Sequence, residues 1–248
     1  MNHFTLSASL FFVTSLATSL LALLHRPRSR IHRIFAAYWF SISFWSFTVG
    51  WQSVLIRKMS AFWWGWFLHM GCIFIPTLLL HFAFAYTRET RHRKALLGFM
   101  YAASFLYLFL NTFTALFTSG TVYRDAYAYP RPSTLYPLYF ITFVLSVCYG
   151  TYLFIRVKMR RGPLGTKGLR NYLIAQVLGY TGGMDNFSIM ADIRIFPLYP
   201  YGLYLGVLYA LTALTGRIRA MLPKQARRRK IPPAARSESS SPAQLLSA

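Results

Sequence analysis

The sequence predicts an all-α fold: a polytopic membrane protein built as a seven-transmembrane helix bundle, N-terminus outside and C-terminus cytoplasmic. Three observations carry this. Seven apolar runs are each roughly 20 residues long, the length that crosses the hydrocarbon core as a helix. Basic residues sit in short clusters concentrated in alternate connections between those runs. The chain is 55% hydrophobic and 18% aromatic and carries 5 acidic residues, too apolar for a water-soluble domain of this size. The net charge of +22 invites nucleic acid as a partner. The apolar runs cut that charge into pieces, however, and leave no continuous basic surface on a soluble module, so nucleic acid is excluded.

The first run, Phe4–Leu24, follows only Met1, Asn2 and His3. It lacks the positive leader of a cleaved signal peptide, and its charges come after it, so it reads as an uncleaved span. The second run is Ile34–Ile56. The third, Ala61–Tyr86, opens among Trp63, Trp64 and Trp66 and holds Pro76, which is expected to kink it. The fourth is Ala95–Thr118. The connection after it, Ser119–Thr134, is the longest on its side and holds Pro130 and Pro132. It is long enough to fold over a pocket mouth. The fifth, sixth and seventh runs are Leu135–Ile155, Asn171–Ile193 and Leu198–Gly216. Cys72 and Cys148 lie inside apolar runs and read as buried small hydrophobes. They have neither metal-ligand spacing nor a disulfide framework, and no metal or cofactor is expected.

Charge sets the direction. Twenty-two of the 27 basic residues follow the first, third, fifth and seventh runs, whereas Arg57, Lys58, Arg124, Arg131 and Arg194 lie on the other side. The positive-inside rule puts the larger set in the cytoplasm. Tyrosines and tryptophans crowd the opposite rim, at headgroup level, where a ring keeps one polar edge wet. Residues 1–218 form the predicted membrane domain. Residues 219–248, rich in Arg, Pro, Ala and Ser, form a disordered basic tail. Within it, Arg227, Arg228, Arg229 and Lys230 should rest on anionic lipid headgroups at about 1 kcal/mol each. A docking site for a protein partner is the alternative use of that cluster.

Polar groups at membrane depth need a reason. His69, Asn111 and Asp185 each fall roughly 10–12 Å below the outer end of their runs at about 1.5 Å per residue, so three helices would share one polar level lining an outward-facing cavity. On the sixth run Thr181, Asp185, Ser188 and Asp192 follow four-, three- and four-residue spacing and form one stripe. Leu178 and Ile174 continue it inward. Gly179, Gly182, Gly183 and Asn186 form a neighbouring stripe of small residues suited to close helix packing. The candidate ligand-binding set is therefore Asp185, Asn186, Thr181, Ser188, His69 and Asn111. Two readings stand for Asp185, a structural carboxylate or a pocket wall. His69 and Asn111 have interhelical hydrogen bonding as their alternative. His81 reads as interfacial and Gln176 as bonded to a neighbouring helix.

From Gly179 onward the chain resembles the seven-helix N-terminal sensor region of bacterial histidine kinases. Gly179, the Gly182–Gly183 pair, Asn186–Phe187, and Pro200 and Gly202 in "YPYG" carry the resemblance, with Pro76 and "HFAFAYT" in weaker support. It covers essentially residues 4–220. It implies a multi-pass sensor of the bacterial cytoplasmic (inner) membrane, whose last helix ordinarily continues into signalling domains. Here 32 residues follow Gly216, without a phosphoacceptor-His helix or room for an ATP-binding domain, so kinase activity is not carried over and no enzyme is expected. Asp185 is not among the residues that carry the resemblance.

The expected function is a membrane sensor or receptor-like module for an extracytoplasmic or membrane-derived signal. It would signal in trans to a separate partner, or through a homodimer. The alternative is a small membrane transporter or membrane-embedded enzyme using Asp185 in an outward-facing cavity, although no inverted repeat and no catalytic set accompanies that residue. A retinal-binding pump is excluded: all six lysines lie in connections or the tail, so none sits inside the last run to form a Schiff base.

Overall fold

The structure, a computed structural model, describes residues 3–55, 61–124, 127–161, 167–190 and 201–215. Among these it has α1 (His3–His25), α2 (Arg30–Leu55), α3 (Ala61–Thr87), α4 (Lys94–Phe113), β1 (Thr118–Arg124), β2 (Tyr127–Pro132), α5 (Tyr136–Arg161), α6 (Lys167–Met190) and α7 (Gly202–Thr215). Residues 216–248, with the Arg227–Lys230 cluster, lie outside the described residues, as does Asp192.

By length and composition four stretches can cross a membrane: His3–His25, Trp66–Thr87, Lys94–Phe113 and Tyr136–Arg160. In α2 and α6 the apolar run is diluted by tyrosine, tryptophan, amide and hydroxyl side chains. In α7 the described part is 14 residues long. The surface argues for lipid around the whole bundle. Leu10, Phe40, Phe105, Leu145, Val177 and Leu208, from six different helices, are all exposed. Such a belt suits hydrocarbon and not water.

Sequential helices run antiparallel. Gly50 near the end of α2 packs on Ala8 near the start of α1, Phe35 meets Phe82, and Phe154 meets Tyr172. Six helices close a ring in the order α1, α2, α3, α5, α6, α7 and back to α1, while α4 stands outside against α3. Polar links fasten α4, among them three between its side chains and those of α3. Thr77 and Ser104 hydroxyls lie 2.8 Å apart, His81 Nδ1 is 2.8 Å from the Tyr101 hydroxyl, and Trp66 Nε1 donates to Thr112. Inside α1 the Ser9, Ser15 and Thr18 hydroxyls donate to carbonyls four residues back, so no donor is stranded in an apolar medium.

Pro76 lies within α3. It has no N–H, so the carbonyl of Cys72, four residues earlier, loses its helical donor. The Tyr139 hydroxyl of α5 supplies one at 2.9 Å, and the Cys72 thiol, 3.2 Å away, in turn donates to the Tyr139 oxygen. Tyr139→Phe should therefore destabilise the protein by about 1–2 kcal/mol, because it strands a buried acceptor. Denaturant unfolding of the purified protein measures this, and a change below 0.5 kcal/mol would rule out the compensation.

Among the described residues the chain departs from an all-helical fold at one place. The fourth helix ends at Phe113, five residues before the expected Thr118. Thr114 turns extended; its hydroxyl donates to the Leu110 carbonyl at 2.7 Å and accepts the Leu116 N–H at 3.2 Å. This local pattern competes with the helix. An antiparallel hairpin follows, pairing Val122 with Tyr129 and Arg124 with Tyr127. The register slips between Thr118 and Thr121, where Gly120 takes φ +141°, a value that favours glycine. The hairpin packs on α3 through both strands and on α2 and α6 through β2, so it covers one end of the ring. Phe117, fully buried, plugs its base against His69, Tyr107, Tyr136 and Tyr139.

The opposite end carries the arginines. Arg88 closes α3 at φ 63°. The Glu89 N–H returns to the Phe84 carbonyl at 2.8 Å and the Arg88 N–H to Ala85 at 3.4 Å, a Schellman ending. This ending aims Glu89 at Arg156 of α5, with which it pairs. At the same end His32, just before the apolar stretch of α2, is 2% exposed. Burial, Arg26 and His25 push it down to about 4. The folded value lies below the usual one, so the unfolded chain takes up the proton first. Stability is then full above about pH 6.5 and is lost as pH falls toward 4. Moving from pH 7 to pH 5 should cost about 2 kcal/mol, and His32→Gln should remove that dependence in unfolding measured at both pH values.

Candidate functional site

The ring lines a half-open cavity of about 40 Å³, room for ordered water. All six ring helices contribute to its wall: Phe11 of α1, Tyr38 and Trp45 of α2, Cys72 and Ile75 of α3, Phe143 of α5, Gly179, Tyr180, Gly183 and Phe187 of α6, and Tyr209 of α7. None of the described lining residues is charged. It lies next to Pro76, since Cys72 and Ile75 belong to the turn of α3 that precedes the proline.

One side of the wall is a chain of tyrosine hydroxyls. Tyr180 and Tyr38 are 2.8 Å apart, Tyr38 and Tyr209 3.1 Å, and Tyr209 and Tyr172 2.8 Å. The chain joins α2, α6 and α7 and runs from the cavity toward the arginine-rich end. Along α6 the eight residues from Tyr180 to Tyr172 cover roughly 12 Å. Glycine makes the chain possible. A Cβ at Gly179 would stand 2.8 Å from the Cβ of Tyr209, so a side chain there would push Tyr209 away from its partners. A Cβ at Gly182 would overlap the Gly202 carbonyl oxygen of α7. At Gly183 a Cβ would meet nothing within 4 Å; this glycine opens the cavity wall and does not seat a neighbouring helix, unlike the other two of its stripe.

The residues singled out in the sequence are distributed differently from that cavity. His69, 2% exposed, lies beneath the hairpin between the rings of Phe117 and Tyr136. Asn111 is in the last turn of α4, because that helix stops at Phe113, and not at the depth expected from a span reaching Thr118. It accepts from the Thr118 hydroxyl at 3.3 Å and donates to the Trp66 carbonyl at 3.5 Å. The two are thus brought to one level as supports of the hairpin base. Thr181 donates to its own helix at the Val177 carbonyl, 2.9 Å. Ile174 and Leu178, which continue its stripe, are exposed at 55% and 40%. The side chains of Asp185, Asn186 and Ser188 lie outside those described. Gln176 is fully buried and donates to the Thr151 hydroxyl of α5 at 2.9 Å, and His81 bonds Tyr101 within the bundle. Of the cysteines, Cys72 is buried in the cavity wall whereas Cys148 is exposed on α5.

Sequence reasoning missed the tyrosines. The signal was present in part: Tyr38, Tyr180 and Tyr209 stand inside the apolar runs, whereas Tyr172 is the second residue of its run. A hydroxyl in an apolar interior is costly without a partner, so three at depth are a reason to look for a network.

Residues 8–216 match the model of a family described as the N-terminal 7TM region of histidine kinase. No curated protein matches the chain. The resemblance carried by the glycines of α6 is thereby borne out over the whole helical bundle.

Proposed function

The chain belongs to the family of the N-terminal 7TM region of histidine kinase, a membrane sensor region, and from that premise we propose that its signal acts at the central cavity. The signal alters how the six helices of the ring pack, and a separate partner reads the change in trans at the arginine-rich end. The carrying observation is that one small cavity touches all six ring helices and adjoins a hydroxyl chain shared by α2, α6 and α7. An occupant there can bias several helix positions at once, provided it binds the two arrangements unequally. Pro76, whose turn borders the cavity, offers a bend in the central helix, and the Glu89–Arg156 pair offers a latch between α3 and α5.

The remaining assignments are part of the same proposal. The sensor is residues 1–218 in a bacterial cytoplasmic membrane, with the N-terminus and hairpin outside and the basic connections and tail within. The basic tail lies on anionic lipid. The matched region is a sensing region and not a catalytic one, which supports a non-enzymatic role for it.

Filling the cavity should mimic a signal. Gly183→Leu places a side chain in open space at the wall. In a chain with Cys72 and Cys148 replaced by serine, spin labels at Arg91→Cys and Arg170→Cys should then report a displacement on the order of 2 Å in nanodiscs. Identical distance distributions with and without Gly183→Leu would sink the proposal. Crosslinking at the basic connections in cells should recover a protein bearing a kinase or regulator domain; recovery of lipid alone would remove the claim of signalling in trans.

A further inference from the structure

The tyrosine chain restricts what the cavity can hold. Each hydroxyl owns one proton and can accept others. Tyr180, Tyr38, Tyr209 and Tyr172 bring four protons to three links. One proton is therefore left over; on Tyr38 or Tyr209 it would make that phenol oxygen accept from both neighbours, a poorer arrangement for an oxygen conjugated with its ring, so a terminus of the chain is its better place. Among the described residues neither terminal hydroxyl has a further partner. If the surplus were at Tyr172, which is 1% exposed and outside the cavity wall, a buried donor would stay unsatisfied. If it is at Tyr180, it faces the cavity. The hydroxyls then all point the same way, from Tyr172 through Tyr209 and Tyr38 to Tyr180, and Tyr180 is a donor awaiting an acceptor.

The rest of the wall, among the described side chains, is apolar or aromatic and carries no charge, and an ion would find no compensation from them. The space is smaller than the roughly 150 Å³ that accommodates a benzene-sized molecule in an apolar core. Anything larger than a few water molecules fits only by spreading the helices around it, which ties occupancy to rearrangement.

We propose that the cavity takes a small, uncharged, mainly apolar molecule with one hydrogen-bond-accepting oxygen, such as a short ketone, which accepts from the Tyr180 hydroxyl. This rests on the cavity being the site of the signal and adds the chemical class of the occupant. The test uses the full chain in phosphatidylcholine nanodiscs with 2-pentanone labelled with carbon-13 at the carbonyl, followed by infrared difference spectroscopy. The expected result is a saturable carbonyl band shifted to lower frequency, absent from empty nanodiscs. Tyr180→Phe should remove the shifted band and weaken binding by roughly three- to tenfold. Pentylammonium and pentane at the same concentration should not displace the ketone. A shifted band that survives Tyr180→Phe, displacement by either competitor, or no saturable band in the wild-type protein would each overturn the assignment of ligand class. If Tyr180→Phe does not fold, Gly183→Leu replaces it: the band should vanish, and its survival would locate the ketone elsewhere and overturn the proposal. The spin-label displacement needs no ligand, so it separates failure of the ligand class from failure of the cavity as the signal site.

Discussion

Gly182→Ala is expected to destabilise the protein by about 3 kcal/mol, the upper end of what overpacking a tight contact usually costs. The reason is the kind of atom it would meet. The new Cβ would overlap the Gly202 carbonyl oxygen and stand 3.1 Å from the Cβ of Leu205. The carbonyl is backbone at the first turn of α7, so no side-chain rotation relieves the overlap and the two helices must separate. Separation draws Tyr209 away from α6, and the links from Tyr209 to Tyr38 and Tyr172 lengthen with it. One residue further along, Gly183→Ala should be neutral or stabilising by up to about 1 kcal/mol, since its Cβ meets open space and alanine is the better helix former. Unfolding of both variants in matched detergent measures the contrast. Equal stability of the two would mean that α6 and α7 do not touch at Gly182.

Tyr38→Phe is expected to cost about 2–3 kcal/mol, more than Tyr180→Phe at the end of the chain. Tyr38 is the only member of the chain on α2, and it bonds both Tyr180 and Tyr209. Its loss strands Tyr180 and leaves Tyr209 with Tyr172 alone. A buried polar group deprived of its partner costs about 1–3 kcal/mol, and the phenylalanine ring otherwise fills the same space. Because α2 is then untied from α6 and α7, the spin-label distances at the arginine-rich end should broaden. The control is Tyr149→Phe, a partly buried tyrosine outside the chain. A Tyr38→Phe variant as stable as that control would show that the two hydroxyl contacts of Tyr38 contribute nothing net.

Much of the bundle was legible because lipid imposes simple rules. A helix needs about 20 apolar residues, and seven runs near that length became seven helices, most with ends within a few residues of expectation. The exceptions have local causes. The fourth helix stops early because Thr114 bonds its own backbone on both sides, a competition that hydropathy does not register. The hairpin was hidden in a connection long enough to hold one, and its β-structure depends on Phe117 finding a slot between α3, α4 and α5. Within the candidate site, the small-residue stripe of α6 was visible as spacing. That Gly179 and Gly182 serve α7 while Gly183 serves the cavity depends on which neighbour stands opposite each one.

Composition and spacing therefore establish a helical membrane bundle, its glycine-rich sixth helix and its proline-bearing third helix, since each follows from one segment and the medium around it. The tertiary structure alone decides which polar groups meet. Tyr38, Tyr172, Tyr180 and Tyr209 are scattered over 172 positions of sequence, from 38 to 209, and no local pattern links them. Their hydroxyls converge because a hydrogen bond reaches only about 3 Å, and the ring closure that brings α7 and α6 to α2 is a property of the whole fold.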